Sequence, residues 1–421
     1  MSIPPRISVK AMQQCDIAII GAGVQALTLV LHLLKKRPQW RKRIVVFDPH
    51  GCWLARWSHQ FAAQEIPHLR SPAVHHPHPD PFALRRFAEG RPNELFPPYD
   101  LPSTQLFEDF CREAIAEFQL EQRLIAAAVT ELIPPQRGQR KFCLTLHNGQ
   151  QWQAKRVVLA TNQTQRQLPD WLEQIEASYP SDRLCHSDRV DLRKLHLQGE
   201  KIVIVGGGLS TGHLALGAIA RQAQVTIVAR RPFQEKLFDA DAGWLGPKYL
   251  KGFAAETDWQ KRHQMILKAR NGGSLTPAVM TQLRRAERQD KVTLKPNCQI
   301  QAAHWQGNHW QLHCDNGEIL QGDRLWLATG SRFDVTAEPL LTRVMERYPQ
   351  PIVNGLPILD EYLRWQGCDL FLMGGLAALQ LGPTARNIFG ARLACDRLVP
   401  ALTKSSLQRI YQANTCSGVS A

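Results

Sequence analysis

Apolar and polar positions along this chain follow two rhythms, and the same succession of rhythms occurs twice. A short apolar run at 16–20 predicts a buried strand, it breaks at Gly21 and Gly23, and a helix-period apolar stripe follows over 24–34. A second strand is predicted at 43–47, closing on Asp48. Runs at 142–147 and 151–159 then flank Asn148-Gly149, a dipeptide suited to a hairpin turn, and the second run ends in Leu159-Ala160-Thr161-Asn162. The second copy repeats this order. Strand 201–205 runs into Gly206 and Gly208, and an apolar-periodic stretch at 209–220 leads to strand 225–228. Later come strand 310–314, the Asn316-Gly317 turn, and a run at 325–330 ending in Ala328-Thr329-Gly330. Strands alternating with helices predict an α/β fold with parallel sheets.

The glycine spacing gives each copy a ligand. In a Rossmann unit the first glycine makes the tight turn and the second lets a pyrophosphate approach the backbone. The small third residue lets helix and strand pack closely. The helix N-terminus then holds the pyrophosphate charge. Gly21, Gly23 and Ala26 fill these places in the first copy, and Gly206, Gly208 and Thr211 in the second. Two Rossmann-like dinucleotide-binding domains are therefore expected. The ends of the second strands assign the cofactors. Asp48 suits the ribose diol of FAD. At the corresponding place the second copy has Arg230 and Arg231 and no acid, a pair that suits the 2′-phosphate of NADPH.

The order along the chain predicts an NADPH domain inserted in the FAD domain. Residues 1–195 form the first FAD part, with an amphipathic helix around 107–118; residues 196–330 form the NADPH unit, and 331–421 return to the FAD domain. A buried strand is expected at 370–375. After it, Gly382, Pro383 and Asn387 read as a helix start with proline at the first helical position. A helix N-terminus there would face the flavin pyrimidine and stabilise the negative charge that builds on reduction.

Composition narrows the class. The chain has 421 residues, 44% hydrophobic and 21% charged, enough for two substantial cores. Residues 1–14 lack the apolar stretch of a signal peptide, and no run is long enough to span a membrane. The ten cysteines include no C-x-x-C pair, which argues for free thiols, a cytoplasmic setting, and against disulfide-reductase chemistry. The net charge of +14, densest at 35–43, attracts anionic NADPH, while no nucleic-acid-binding signature accompanies it. A homo-oligomer is left open.

With these motifs the chain resembles the class B flavoprotein monooxygenases, and within them the ornithine/lysine N-hydroxylase group. The resemblance rests on both glycine turns, Ala328-Thr329-Gly330, the turn from Gly382 to Asn387, and a segment from Leu101 to Phe110. It implies NADPH- and O2-dependent oxidation of a nucleophilic amine or sulfur of a small molecule, through a C4a-(hydro)peroxyflavin. It also implies roles for Thr329 and Gly330 at the cofactors, and for Arg70, which lies where that group carries a substrate- or flavin-contacting cation. The group's Asn-Glu-x-Phe element is replaced here by 238–249, containing Trp244. Ornithine and lysine are accordingly expected to be poor substrates. The alternative is an NAD(P)H-dependent flavoprotein reductase serving a quinone or other acceptor. His75, His76 and His78 invite a metal reading, but the intervening prolines splay neighbouring side chains, so an active-site loop without metal is expected.

Overall fold

The computed structural model describes residues 12–136, 138–270 and 272–403, so the expectation for the extreme N-terminus lies almost wholly outside the described residues. The first unit opens with β1 (Gln13–Ile20), α1 (Val24–Lys36) and β2 (Ile44–Asp48). There follow α2 (Thr104–Glu117), β3 (Leu124–Ala126), and a meander of β4 (Val129–Ile133), β5 (Phe142–Leu146) and β6 (Gln151–Leu159). Among the described residues these strands lie in a sheet ordered β3-β2-β1-β6-β5-β4. Strand β6 serves two neighbours on one side. Its first half pairs antiparallel with β5 through Trp152, Gln153 and Ala154, and its second half pairs parallel with a strand from near the end of the chain, through Val157, Val158 and Leu159.

The second unit starts ahead of the expected 196. Leu184–His186 (β7) already pairs with its sheet, with Cys185 and Leu184 packed against the two apolar clusters of the second unit. Then come β8 (Lys201–Val205), α3 (Leu209–Ala220), β9 (Gln224–Ala229), α4 (Pro247–Ala255), α5 (Trp259–Arg270), α6 (Pro277–Glu287) and β10 (Val292–Pro296). A second meander, β11 (Ile300–Trp305), β12 (Trp310–Cys314) and β13 (Ile319–Gly322), precedes β14 (Arg324–Leu327). The sheet, ordered β7-β14-β8-β9-β10, is parallel throughout. The chain then returns to place β15 (Leu370–Leu372) beside β6 and ends its described part in α7 (Ile388–Thr403). The two crossings between units, Gln165–Arg166 and Ser331–Arg332, pair antiparallel with each other.

The apolar stripes explain where the elements go. Every residue from Gln25 to Leu34 of α1 is buried, and α1 packs between its sheet and α7. The helical excursion holding α4 and α5 leaves the second unit's core. Trp244, Phe253 and Ile266 join the first unit's hydrophobic cluster, while Leu275, Val279 and Leu283 return to the second. A segment sequential with the second unit thus covers the first.

Candidate functional site

The two glycine turns have the same construction. The Gly21 amide donates to the Phe47 carbonyl at the end of β2, at 2.8 Å, and the Gly206 amide donates to Val228 at the end of β9, at 2.9 Å. Strand β6 ties in through the Ala160 amide to Ile20, and β14 through Ala328 to Val205. Gly21 has φ +99°, and a Cβ there would sit 3.0 Å from the Ala160 carbonyl oxygen. Gly206 is tighter, with φ +145° and a Cβ 2.3 Å from the Ala328 oxygen. Gly23 and Gly208 differ from these. Both have ordinary negative φ, both are the N-cap of the following helix, and a Cβ at either would meet nothing within 4 Å. Their missing side chains leave room in front of a helix N-terminus, and a pyrophosphate fits that cradle. Ala26 and Thr211, one turn on, are fully buried against the sheets.

Asp48 leans over the first turn. One carboxylate oxygen accepts from the Ala22 amide at 3.0 Å, and the other accepts from the His50 amide at 2.9 Å. The side chain stays 17% exposed, which leaves acceptor capacity facing the cradle. Arg230 and Arg231, just past β9, are both solvent-exposed, as a phosphate ligand requires. Thr329 and Gly330 sit at the crossing between units: the Thr329 hydroxyl donates to the Gln167 carbonyl, and the Gly330 carbonyl accepts from the Gln167 amide at 3.0 Å. Asn162, the Asn of the first Ala-Thr-Asn turn, has φ +48°, and its side-chain oxygen accepts from the Gly375 amide at 3.3 Å.

The C-terminal turn departs from expectation. No helix begins at Pro383. The short helix Ala378–Leu381 stops on Gly382 with φ +86°, a turn follows, and α7 starts only at Ile388. The backbone of that turn serves other partners: the Gln25 amide donates to the carbonyls of Ala385, Arg386 and Asn387 at 3.4, 3.2 and 3.2 Å, and Arg270 donates to Pro383 at 3.0 Å. Gly390 lets α7 press against the turn, since a Cβ there would lie 2.2 Å from the Thr384 oxygen.

Arginines tie the helical excursion to this turn and to the first unit. Arg70 donates to the carbonyls of Leu237 (2.7 Å), Lys236 (2.6 Å) and Ser274 (3.4 Å) and to the Ser274 hydroxyl (2.8 Å), so it ties the first unit to the second. Burial lowers its pKa. Asp239 accepts from Arg270 at 2.8 Å and from the Asn387 amide at 3.2 Å. Burial works against its charge, yet Arg270, Arg386 and Arg70 together hold its carboxyl below the usual range. The chain just after α5 abuts the second glycine turn: a Cβ on Gly273 would lie 3.4 Å from the Gly208 Cα. Gln25, Asp239, Arg270 and Arg386 were not singled out by the sequence. Arg386 stood inside the Gly382–Asn387 turn that carried the family resemblance, and Asp239 inside the segment 238–249 that departs from it; Arg270 had no signal at all.

His75, His76 and His78 are buried, and Arg392 of α7 fastens their loop by donating to the carbonyls of His76 (3.2 Å), His78 (2.5 Å) and Pro79 (3.0 Å). The His76 ring packs edge-on against Phe110 of α2, with centroids 5.0 Å apart. Burial lowers His75 to about 4 and His76 to about 3, so both are neutral. Among the described residues no group of three or more His, Cys, Asp or Glu is placed to hold a metal, and no helix is long and apolar enough to cross a membrane.

Known proteins share this fold. Residues 18–164 match a family described as FAD-NAD(P)-binding, and residues 99–333 match one described as L-lysine 6-monooxygenase/L-ornithine 5-monooxygenase. The L-lysine N6-monooxygenase of Escherichia coli is 26% identical over 287 residues, which are 63% of this chain. The chain spans 64% of the length of that relative. An ornithine N-hydroxylase of Kutzneria sp. 744, solved with reduced FAD, NADP+ and L-ornithine, superposes with a TM-score of 0.76 at 15% identity, covering 92% of this chain and 99% of that one. A cadaverine monooxygenase of Erwinia amylovora, solved with FAD, gives 0.74 at 15% identity over 94% and 95% of the two chains. With one family model covering more than half of its length, this chain belongs to the L-lysine 6-monooxygenase/L-ornithine 5-monooxygenase family.

Proposed function

We propose that the protein is an FAD-dependent, NADPH-driven monooxygenase that hydroxylates a nucleophilic amine of a small molecule, with O2 as co-substrate. The observation that carries this is the pair of empty-fronted glycine cradles, at Gly23 and Gly208, in a chain of this family. Bound FAD, reduced by NADPH, supplies the activation of O2. The residues do the rest. The α1 N-terminus at Gly23 holds the FAD pyrophosphate and Asp48 accepts from its ribose; the α3 N-terminus at Gly208 holds the NADPH pyrophosphate, and Arg230 and Arg231 take its 2′-phosphate. The excursion that contains Trp244 covers the first unit and keeps water from the reacting centre. Arg70, Arg270 and Arg386 outnumber the Asp239 carboxylate they surround, and this surplus of positive charge favours the neutral, nucleophilic form of a nearby amine over its ammonium. Nine described cysteines are free thiols, which suits a cytoplasmic enzyme.

The test uses FAD-loaded protein, NADPH, 18O2 and a panel of primary amines including L-lysine, L-ornithine and cadaverine. The expected product is a hydroxylamine carrying one 18O per NADPH consumed. NADPH oxidation that depends on a quinone or dye, with no 18O in any amine, would refute the proposal and favour a reductase.

A further inference from the structure

Glu338 is a carboxylic acid in a place that serves an ion poorly. It lies on the return crossing to the first unit, just past Ser331–Arg332, and only 4% of it is exposed. One carboxyl oxygen accepts from the Leu340 amide at 3.5 Å, a long contact, while Oε2 is buried with no hydrogen-bond partner among the described residues. The cavity it lines has about 20 Å3, room for about one water, and one water does not hydrate a carboxylate. None of the other walls is a cation: they are Gln163, Thr164, Gln165, Ala337, Leu376 and Asp334. Asp334 is itself an acid, paired at 3.9 Å with Arg332. Burial raises the Glu338 pKa, while the Leu340 amide and the Thr161 hydroxyl beside it act the other way. Thr161 Oγ1 is likewise buried without a partner. A hydroxyl donated to Oε2 satisfies that oxygen but leaves the charge. A proton on Oε2, donated to Oγ1, satisfies both oxygens and removes the charge.

Thr161 belongs to the turn that ends β6. Its Cα would lie 3.1 Å from a Cβ on Gly21, and its neighbour Asn162 accepts from the Gly375 amide just past β15. In the sheet, β1 has β2 with Asp48 on one side and β6, with β15 beside it, on the other. A dinucleotide whose ribose meets Asp48 and whose pyrophosphate fronts α1 continues past the carboxyl ends of β6 and β15 with its other half. In FAD that half is the flavin. We propose that Glu338 is a positioning residue for the flavin end of the FAD site: kept as the neutral acid, it supports the turn at 160–162 through Thr161 and adds no negative charge there. A carboxylate at that end would oppose the electron pair that the flavin takes up on reduction, and an uncharged carboxyl does not. The inference rests on the monooxygenase reading for its flavin, while its test reads the proton separately.

The test is urea denaturation of the FAD-loaded wild type, Glu338→Gln and Glu338→Ala between about pH 5 and about pH 8. Glutamine has the shape of the neutral acid and cannot ionise. An unfolded glutamate releases its proton at about pH 4.3, and the folded protein keeps it to higher pH. The wild type therefore loses stability as the pH rises through that interval, and Glu338→Gln does not. The histidines titrate alike in both proteins and cancel from the difference. The denaturation midpoint of Glu338→Gln should accordingly climb relative to that of the wild type as the pH rises. In flavin-fluorescence titrations Glu338→Ala should bind FAD about tenfold more weakly than the wild type, and Glu338→Gln within about threefold of it. The proposal is overturned by a midpoint difference that is flat or falls with pH, by alanine holding FAD as the wild type does, or by glutamine losing it as alanine does. If the alanine protein does not fold, the glutamine comparison decides alone. A climbing difference in a protein that puts no 18O into any amine would sink the oxygenase reading and leave Glu338 in this role; a flat difference alongside 18O incorporation would do the reverse.

Discussion

Gly21 and Gly23 are two residues apart, and substitutions at them should fail in different ways. Gly21 has φ +99°, and the three atoms nearest an added Cβ, at 3.0–3.1 Å, all belong to the backbone of Ala160 and Thr161. Gly21→Ala therefore strains the protein itself. An L-residue held in that left-handed region costs about 1–2 kcal/mol, and β6 must shift to relieve the contact. Gly23 has φ −80° and open space where its Cβ would go. Gly23→Val costs the fold only its glycine N-cap, about 0.5–1 kcal/mol, but its methyls fill the cradle in front of α1. The loss therefore falls on the cofactor. At a hundredfold excess over its Kd, FAD would stabilise the wild type by about 2.7 kcal/mol. That increment should vanish in Gly23→Val and persist, on a weakened fold, in Gly21→Ala. Denaturant titrations with and without FAD separate the two cases, and the flavin absorbance of the purified proteins checks them. Gly23→Val purified with a full complement of FAD would refute the placement of the pyrophosphate.

Three further outcomes are expected. Replacing Arg230 and Arg231 with neutral residues should reduce the preference for NADPH over NADH in anaerobic flavin reduction by roughly ten- to a hundredfold, since a charge-assisted phosphate contact is worth about 1.5–3 kcal/mol; equal use of both nucleotides by the wild type would count against the assignment. Arg70→Ala strips donors from Leu237, Lys236 and Ser274, and should lower stability by about 1–3 kcal/mol and raise the amine KM, with partial rescue by Arg70→Lys; an unchanged denaturation midpoint would remove the tie. Burial first, and nearby cations second, lower His32 and His76 to about 3 and His213 to about 4, and burial and Arg392 lower His75 to about 4. The unfolded chain binds these protons from near pH 6.5, so stability should be complete above that value and fall progressively as the pH drops toward 4. Denaturant midpoints that stay level between pH 7 and 5 would contradict the burial of these rings.

The elements legible in the sequence were those whose signal is local. Strand 201–205 and helix 209–220 emerge with the predicted bounds, because an apolar run ending in glycine admits few other conformations. Asn162 takes the left-handed angle that its place in an Ala-Thr-Gly-like turn requires. The helix read at Pro383 shows where local signals fail. Proline after Gly382 is compatible with a first helical turn, but equally with a turn whose carbonyls are bound elsewhere, and the binders are Gln25 and Arg270, 361 and 113 positions away. Likewise the apolar positions of α4 and α5 could serve either core. Nothing in their spacing shows that Phe253 and Ile266 join the first unit's cluster while Leu275 returns to the second.

The arginines that join the units were hidden for the same reason, and they share one use. Arg262 donates to the Leu379 carbonyl at 3.0 Å and Arg270 to Pro383, both reaching from α5 to the first unit, while Arg70 reaches the opposite way to Leu237 and Ser274. Arg221 of α3 pairs with Glu65 at 2.6 Å. These ties and the paired crossings at 165–166 and 331–332 join the units at several separate points. Each arginine bound to a carbonyl keeps its full charge, since a carbonyl satisfies donors without neutralising them. Arg70, Arg270 and Arg386 thus surround Asp239 with positive charge, which holds its carboxyl below the usual range.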